Sequence, residues 1–182
     1  MKELILLGRG PTSSECPYDA EVWCASTALL MPEARFDCIS KAFAFDGLDL
    51  EEVKRSVEIA KEHSIPVVSI ESYATEPYPL NEIQAEFHSN VYLKTTASYM
   101  LAMAILQGYE KLRLFGIDQG PEWKYISTKY YVTFWLGVAV GRNIEYELSG
   151  RCLLLEPFME EVKQHFEGKA WELVRGIIAK QL

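Results

Sequence analysis

The chain is poor in the residues that build metal and disulfide scaffolds: its 182 residues hold four cysteines and three histidines. Cys16, Cys24, Cys38 and Cys152 form no C-x-x-C pair and have no histidine beside them. That spacing fits neither a zinc site nor a disulfide framework, so reduced core thiols are expected. Positive charge is also scarce, with 18 Lys and Arg against 26 Asp and Glu and a formal net charge of −8. A net negative surface repels a phosphate backbone, which argues against nucleic acid as a partner and requires any anionic ligand to be held by local groups. No apolar run reaches the roughly 20 residues of a membrane-spanning helix, and no basic segment followed by an apolar one opens the chain. These absences predict a soluble, cytoplasmic protein of a bacterial or virus-infected cell, with no membrane partner.

What is present is an apolar content of 49%, enough for one domain with a sizeable core. Short apolar runs at 3–7, 21–25, 36–40, 66–70, 90–94, 111–117 and 144–148 read as strands. Helical patterns separate many of them. Leu50, Val53, Val57 and Ile59/Ala60 space a helix over 50–63 with Asp49 as its N-cap. A short helix follows near 80–87, then a nearly all-apolar one over 96–107 closed by Gly108, then one over 125–141. The alternation predicts an α/β fold, a Rossmann-like three-layer sandwich with a mostly parallel sheet over residues 1–150. Residues 151–182 read as a C-terminal amphipathic helical tail of the same domain, in which Phe158, Val162 and Phe166 continue to Trp171, Val174 and Ile178. Docking on the domain's own sheet is the expectation for that stripe, and a homo-oligomer interface is the alternative.

In parallel sheets ligands bind at the carboxyl ends of strands, and that rule gathers three loops. The first is LILLGRGPTSSE, residues 4–15, where an aliphatic strand stops at two glycines, a proline and a run of hydroxyls. Gly8 and Gly10 let backbone approach a ligand, successive N–H groups there can cradle an anion, and Arg9, Pro11, Thr12 and Ser13 complete the loop. It is neither G-x-G-x-x-G nor a Walker A loop, and the plain alternative is a tight turn with Thr12 or Ser13 capping a short helix. The second is KTTAS, 94–98, where Thr95 or Thr96 caps the apolar helix and the other hydroxyl is left over. The third is FGIDQGPEWKY, whose Asp118 either accepts from ribose hydroxyls or caps a turn. One carboxylate does not make a metal site, so no metal ligand set is assigned and Mg²⁺ enters only as a companion of ligand phosphates. Beyond it Tyr125 and Lys129 lie one helical turn apart, so a ring and a cation share a face toward the cleft. Tyr130, Tyr131, Phe134 and Trp135 are assigned to packing, and Lys41 to solvent.

Two of these segments carry a resemblance: LILLGRGPTSSE, and TTASYMLAMAILQGYEKLRLFGID. In that order they resemble the G-x-G-P-S loop and the T-S…GID segment of bacterial CMP-sialic-acid-dependent sialyltransferases. They are also similar to motility-accessory-factor and 6-hydroxymethylpterin-pyrophosphokinase-like proteins, and most of all to small phage proteins of this length. The resemblance spans residues 1 to about 148. It implies a cytidine nucleotide surrounded by Gly8 to Ser13, by Ser26 where those enzymes carry an Asn, by Thr95–Thr96 and by Tyr125. Thr12 stands in place of the usual Ser. Those enzymes also carry a lid-like segment with a catalytic histidine after GID, whereas here His63, His88 and His165 all lie elsewhere. The expected ligand is therefore a nucleotide or nucleotide sugar. Two functions remain open at this point: a transferase of glycosyl or diphosphoryl type using a nucleotide-activated donor, and a non-catalytic sensor or sequestering protein.

Overall fold

The structure is a computed structural model in which residues 1–88, 92–118, 128–150, 152, 154 and 155 are described. Seven strands form one sheet: β1 (Glu3–Leu7), β2 (Glu21–Ala25), β3 (Ile39–Phe43), β4 (Val67–Ser69), β5 (Glu76–Pro77), β6 (Lys111–Phe115) and β7 (Glu145–Leu148). Their spatial order is β5-β4-β3-β2-β1-β6-β7, and all six pairings are parallel. The described residues form four α-helices: α1 (Glu51–Glu62), α2 (Leu80–Phe87), α3 (Thr96–Leu106) and α4 (Lys129–Gly141).

Period-two alternation splits the core into two halves. Leu4 and Leu6 of β1 face α2, α3 and α4 together with Trp23, Leu112 and Leu114. Ile5 and Leu7 face the other way, with Val22, Cys24 and Ala42, onto Val53, Val57 and Ala60 of α1. Three layers result, and β1, buried on both faces, reads as the unbroken apolar run expected of a central parallel strand. α3 is buried almost all round because it lies between the sheet, α2 and α4, which explains its lack of a polar face. It ends in a Schellman motif, with Gly108 N–H on Ile105 O and Tyr109 N–H on Ala104 O at 3.1 and 3.2 Å. Cys152 and Leu154, the first described residues of the predicted tail, pack on the α2–α4 side of the core. The rest of the tail stripe lies outside the described residues.

Three local expectations shift. The third strand runs 39–43 rather than 36–40, because Phe36–Cys38 forms a 3-10 turn that leads into it. Residues 92–95 are not strand: they deliver the chain to the cap of α3. Asp49 does not cap α1, whose N-cap is Leu50, with no side-chain hydrogen bond, and Leu50 itself is exposed. The crossovers β1→β2 and β2→β3 carry only 3-10 turns, Pro11–Glu15, Ser26–Leu30 and Phe36–Cys38, where longer connections would carry α-helices.

At the amino-terminal edge of the sheet, Glu21 accepts from Tyr109 Oη at 2.6 Å, Trp23 Nε1 at 2.9 Å and Ser40 Oγ at 3.0 Å. Partial burial alone would raise its pKa, but these hydrogen bonds and the charge of Lys2 outweigh that and hold it below the usual carboxylate range. A depressed folded pKa contributes stability that is present above the unfolded value near 4.3 and lost as pH falls through the folded one. Glu21→Gln is therefore expected to flatten the fall of unfolding free energy between about pH 5 and pH 3, measured by urea titration at each pH.

Candidate functional site

The chain leaves β1 toward β2 on one side, while β6 lies against β1 on the other. Their carboxyl ends therefore diverge at a topological switch point. A cavity of about 340 Å³ opens there. Its wall is built by residues 8–11 after β1, Ala25 and Thr27 after β2, Thr95–Ala97 and Met100 of α3, residues 116–118 after β6, and Thr128.

Backbone contact holds the first loop in place. Gly8 N–H donates to Phe115 O and Gly10 N–H to Gly116 O, both at 2.8 Å. The two chains pass so closely that a Cβ on Gly8 would stand 2.2 Å from Gly116 O, and one on Gly116, whose φ is +65°, 2.4 Å from Gly8 O. Only glycine fits at either position. Pro11–Glu15 then forms the short helix foreseen as the plain alternative, but no side chain caps it. Instead Thr12 turns inward. Its hydroxyl donates to Asp118 Oδ1 at 2.5 Å and accepts Gly116 N–H at 2.8 Å, while its own N–H donates to Asp118 Oδ2 at 2.9 Å. Ser149 Oγ donates to Glu15 and pins the far end of the turn.

Both oxygens of Asp118 are thus engaged by Thr12, at a residue only 5% exposed. Charge-assisted bonds of this kind make Asp118 a strut between two loops. Among the described residues no cluster of three or more His, Cys, Asp or Glu could hold a metal ion.

At the start of α3 a capping box settles which threonine does what. Thr95 Oγ1 accepts Ser98 N–H at 3.2 Å, and Ser98 Oγ accepts Thr95 N–H at 3.0 Å. Thr95 is therefore the cap, and Thr96 is left with a hydroxyl that has no partner among the described residues. As the first two residues of the helix, Thr96 and Ala97 have N–H groups without intrahelical acceptors, and both residues line the cavity.

Of the residues singled out from the sequence, Gly8, Arg9, Gly10, Pro11, Thr95, Thr96 and Asp118 converge on this wall. Thr12 and Ser13 lie buried beneath the loop. Ser26 is buried and off the wall, and its neighbour Thr27 lines the cavity in its place. Lys129 is buried at the start of α4, next to the lining Thr128. Tyr125 lies outside the described residues. Arg9 is partly exposed and pairs with Glu52 of α1 at 3.1 Å, so α1 reaches the cleft through one charge. Lys41 lies within β3 and pairs with Glu76, not with solvent. His63 stacks on Phe36 and His88 ends α2, and neither lines the cavity.

Sequence reasoning missed the floor. Met100 and Ile117 supply it, flanked by Ala25 and Ala97, and each reads in the sequence as ordinary core. A signal was available for Met100, which stands one turn below the Thr96 helix start. Cys152 also lies near the site, its Sγ 3.7 Å from Ile117 O, with burial pushing its pKa up and the thiol kept protonated.

No known family profile and no curated protein sequence matches the chain. Solved structures do. The sialyltransferase CstII from Campylobacter jejuni in complex with the substrate analogue CMP-3FNeuAc aligns over 84% of this chain and 81% of that one, at 18% identity and a TM-score of 0.54. The same enzyme with cytidine-5'-monophosphate aligns over 84% and 80%, at 17% identity and a TM-score of 0.54. The chain therefore has a sialyltransferase-like α/β fold.

The strut is open to test. Thr12→Val removes one donor from a buried carboxylate and orphans Gly116 N–H, and is expected to lower stability by about 1–3 kcal/mol, whereas Thr12→Ser keeps both bonds and most of the stability. Gly116→Ala, with a backbone clash and a left-handed φ, is expected to cost at least as much as Thr12→Val. Urea midpoints of the three variants read both effects.

Proposed function

We propose that the cleft binds a nucleotide and that the protein is a transferase drawing on a nucleotide-activated donor, a nucleotide sugar in the first instance. The observation that carries this reading is convergence on one cavity. A glycine loop with close backbone, a helix start with uncommitted N–H groups and an apolar floor meet at the switch point of a parallel sheet. The helix start favours an anion, which supports placing phosphates against Thr96–Ala97 with Arg9 as the side-chain cation beside them. The N–H groups of Gly8 and Gly10 are spent on Phe115 O and Gly116 O, and Pro11 has none. Met100 and Ile117 suit a ring, and about 340 Å³ lies at the small-molecule end of the usual 300–1,000 Å³. The fold likeness to an enzyme whose structures hold CMP and a CMP-sugar analogue supports the same ligand class.

In this proposal Thr27 takes the position given to Ser26 beside the ribose, Tyr125 stacks on the base, and Lys129 offsets ligand charge from below. Asp118 holds the loop through the two hydrogen bonds it accepts from Thr12, and the acceptor sites it has left face the cavity it lines. The motif likeness to pyrophosphokinase-like and phage proteins extends the donor class to diphosphates, and a cytoplasmic location with no nucleic-acid partner belongs to the same proposal. Mg²⁺, where needed, accompanies the phosphates.

The test is a thermal-shift screen against nucleotides, nucleotide sugars and nucleoside diphosphates, with and without Mg²⁺. A ligand at a hundred times its Kd stabilises the fold by about 2.7 kcal/mol, a rise of roughly 5–10 °C for a domain of this size. The shift should vanish in Thr96→Val combined with Arg9→Ala. Silence across the whole screen overturns the reading. A ligand that binds and is always recovered unaltered, with every acceptor tried, replaces the transferase with a sequestering protein. A second expectation concerns Glu52, which competes with ligand phosphate for Arg9. Glu52→Gln should tighten anion binding by up to about fivefold in calorimetry, with the gain shrinking as salt is added.

A further inference from the structure

A second cavity, of about 610 Å³, lies apart from the cleft and shares no lining residue with it. It forms an open groove where the chain turns from β4 through β5 into α2, at the β5 edge of the sheet. Its walls are fixed by hydrogen bonds. Ser69 Oγ accepts Glu71 N–H at 3.1 Å, and Tyr78 N–H donates to Ser69 O at 2.9 Å. Tyr73 Oη donates to Asp46 O at 2.7 Å and ties the loop to the one after β3. Tyr78 is buried, and its hydroxyl donates to Tyr99 O of α3 at 3.0 Å. The groove is therefore formed before any ligand arrives.

Three kinds of group line it. Ile70, Pro77 and Leu80 are apolar, and Ile70 stands 50% exposed. Glu71 and Glu82 bring exposed carboxylates with no ion-pair partner among the described residues, and no lining residue carries a cation. Lys41 of β3 is already paired with Glu76 of β5. The third group is backbone. α2 starts behind Pro79, an N-cap without a side-chain hydrogen bond, and Asn81 and Glu82 N–H have no acceptor among the described residues. A ligand that meets all three presents an apolar stem, a cation and a carbonyl together. A lysine or arginine in an extended peptide does so: its methylenes can lie on Ile70, Pro77 and Leu80 while its head meets Glu71 and Glu82. A main-chain carbonyl of the same peptide can accept from Asn81 or Glu82. A phosphate would face two carboxylates, and a polyamine would leave the amides without an acceptor. A second copy of this chain would bring its own formal charge of −8 to an acidic groove. Strand addition is no substitute, since β5 has two residues and Pro77 has no N–H.

We propose that the groove between β4 and α2 is a docking site for an extended segment of a partner protein that carries a lysine or arginine flanked by apolar residues. Glu71 and Glu82 select the cation, Ile70 and Leu80 hold its stem, and the start of α2 fixes the main chain. None of these residues lines the nucleotide cleft, so the proposal stands apart from the nucleotide reading.

The experiment titrates mixtures of blocked pentapeptides into the isotope-labelled full chain and follows backbone amide shifts by NMR. Each mixture is centred on lysine, arginine, norleucine or glutamate, with alanine, leucine, proline and valine randomised at the flanks. The lysine and arginine mixtures should move amides within residues 69–82, Asn81 and Glu82 among them. They should bind about threefold to tenfold more tightly than the norleucine mixture at low salt, an advantage that shrinks as salt is added, and the glutamate mixture should not bind. Glu71→Gln/Glu82→Gln should erase the preference for a cation, and Ile70→Ser should weaken every mixture. Thermal melts confirm that both variants are folded, and nucleotide binding should be unchanged in them. Absence of groove shifts with the lysine and arginine mixtures overturns the proposal, as does norleucine binding equally well or a preference that survives in the glutamine variant. Spermidine matching the peptides in affinity and in the Asn81 and Glu82 shifts gives the groove to a free amine and also overturns it. So do shifts of the same amides that grow with protein concentration alone, which would give the groove to a second copy. A silent nucleotide screen removes the nucleotide reading and leaves these outcomes as they are.

Discussion

Everything at the site depends on how closely two backbones pass. Gly8 and Gly116 stand at the ends of adjacent central strands, each with the other's carbonyl where a Cβ would be. This approach brings Thr12 within reach of Asp118 and Gly116, and three hydrogen bonds then lock the loop after β1 to the loop after β6. Any side chain at either glycine would push the loops apart and leave Asp118 as a buried carboxylate without donors, which is far more costly than losing a contact. The cavity is the space that remains once that lock is made.

The lock also resolves an electrostatic conflict. A protein with a formal charge of −8 that places a carboxylate in its cleft should repel a phosphate. Thr12 donates to both oxygens of Asp118, so the charge is spread over hydrogen bonds instead of facing the ligand unshielded. What the cavity offers in compensation is the backbone dipole of the helix start at Thr96 and Ala97; the amides of Gly8, Gly10 and Thr12 are spent on locking the loop after β1 to the loop after β6. Among the described residues of the cavity wall Arg9 alone carries a cationic side chain, and it is shared with Glu52. Binding through fixed amides needs no long side chain to be immobilised, which lowers the entropic cost of holding a ligand.

Much of the fold was readable because its signals are local. The apolar runs at 3–7 and 111–117, the helix pattern at 53–60 and the glycine stop at 108 each depend on neighbours in sequence. The failures were of two kinds. Cys38 and Asp49 sit where propensity and tertiary contact disagree, so the third strand begins later and α1 has no side-chain cap. Tyr130 looks like packing by hydropathy, yet Val132, Trp135, Leu136 and Ala139 take the buried face of α4 and leave it exposed, while Phe134 packs against the core as expected. One helix has only one face to bury, and periodicity alone does not say which apolar residues win it.

By itself the sequence determined the class of the fold and the three loops that meet at its carboxyl edge, because strand and helix periods, glycine stops and helix caps act within a few residues. Tertiary structure alone decided the division of labour among them. It made Asp118 a strut, gave the cap to Thr95 and left Thr96 uncommitted, put Thr27 on the wall in place of Ser26, and supplied Met100 and Ile117 as a floor. The physical reason is distance along the chain: Thr12 and Asp118 are 106 residues apart, and only the parallel pairing of β1 with β6 brings a hydroxyl and a carboxylate to 2.5 Å.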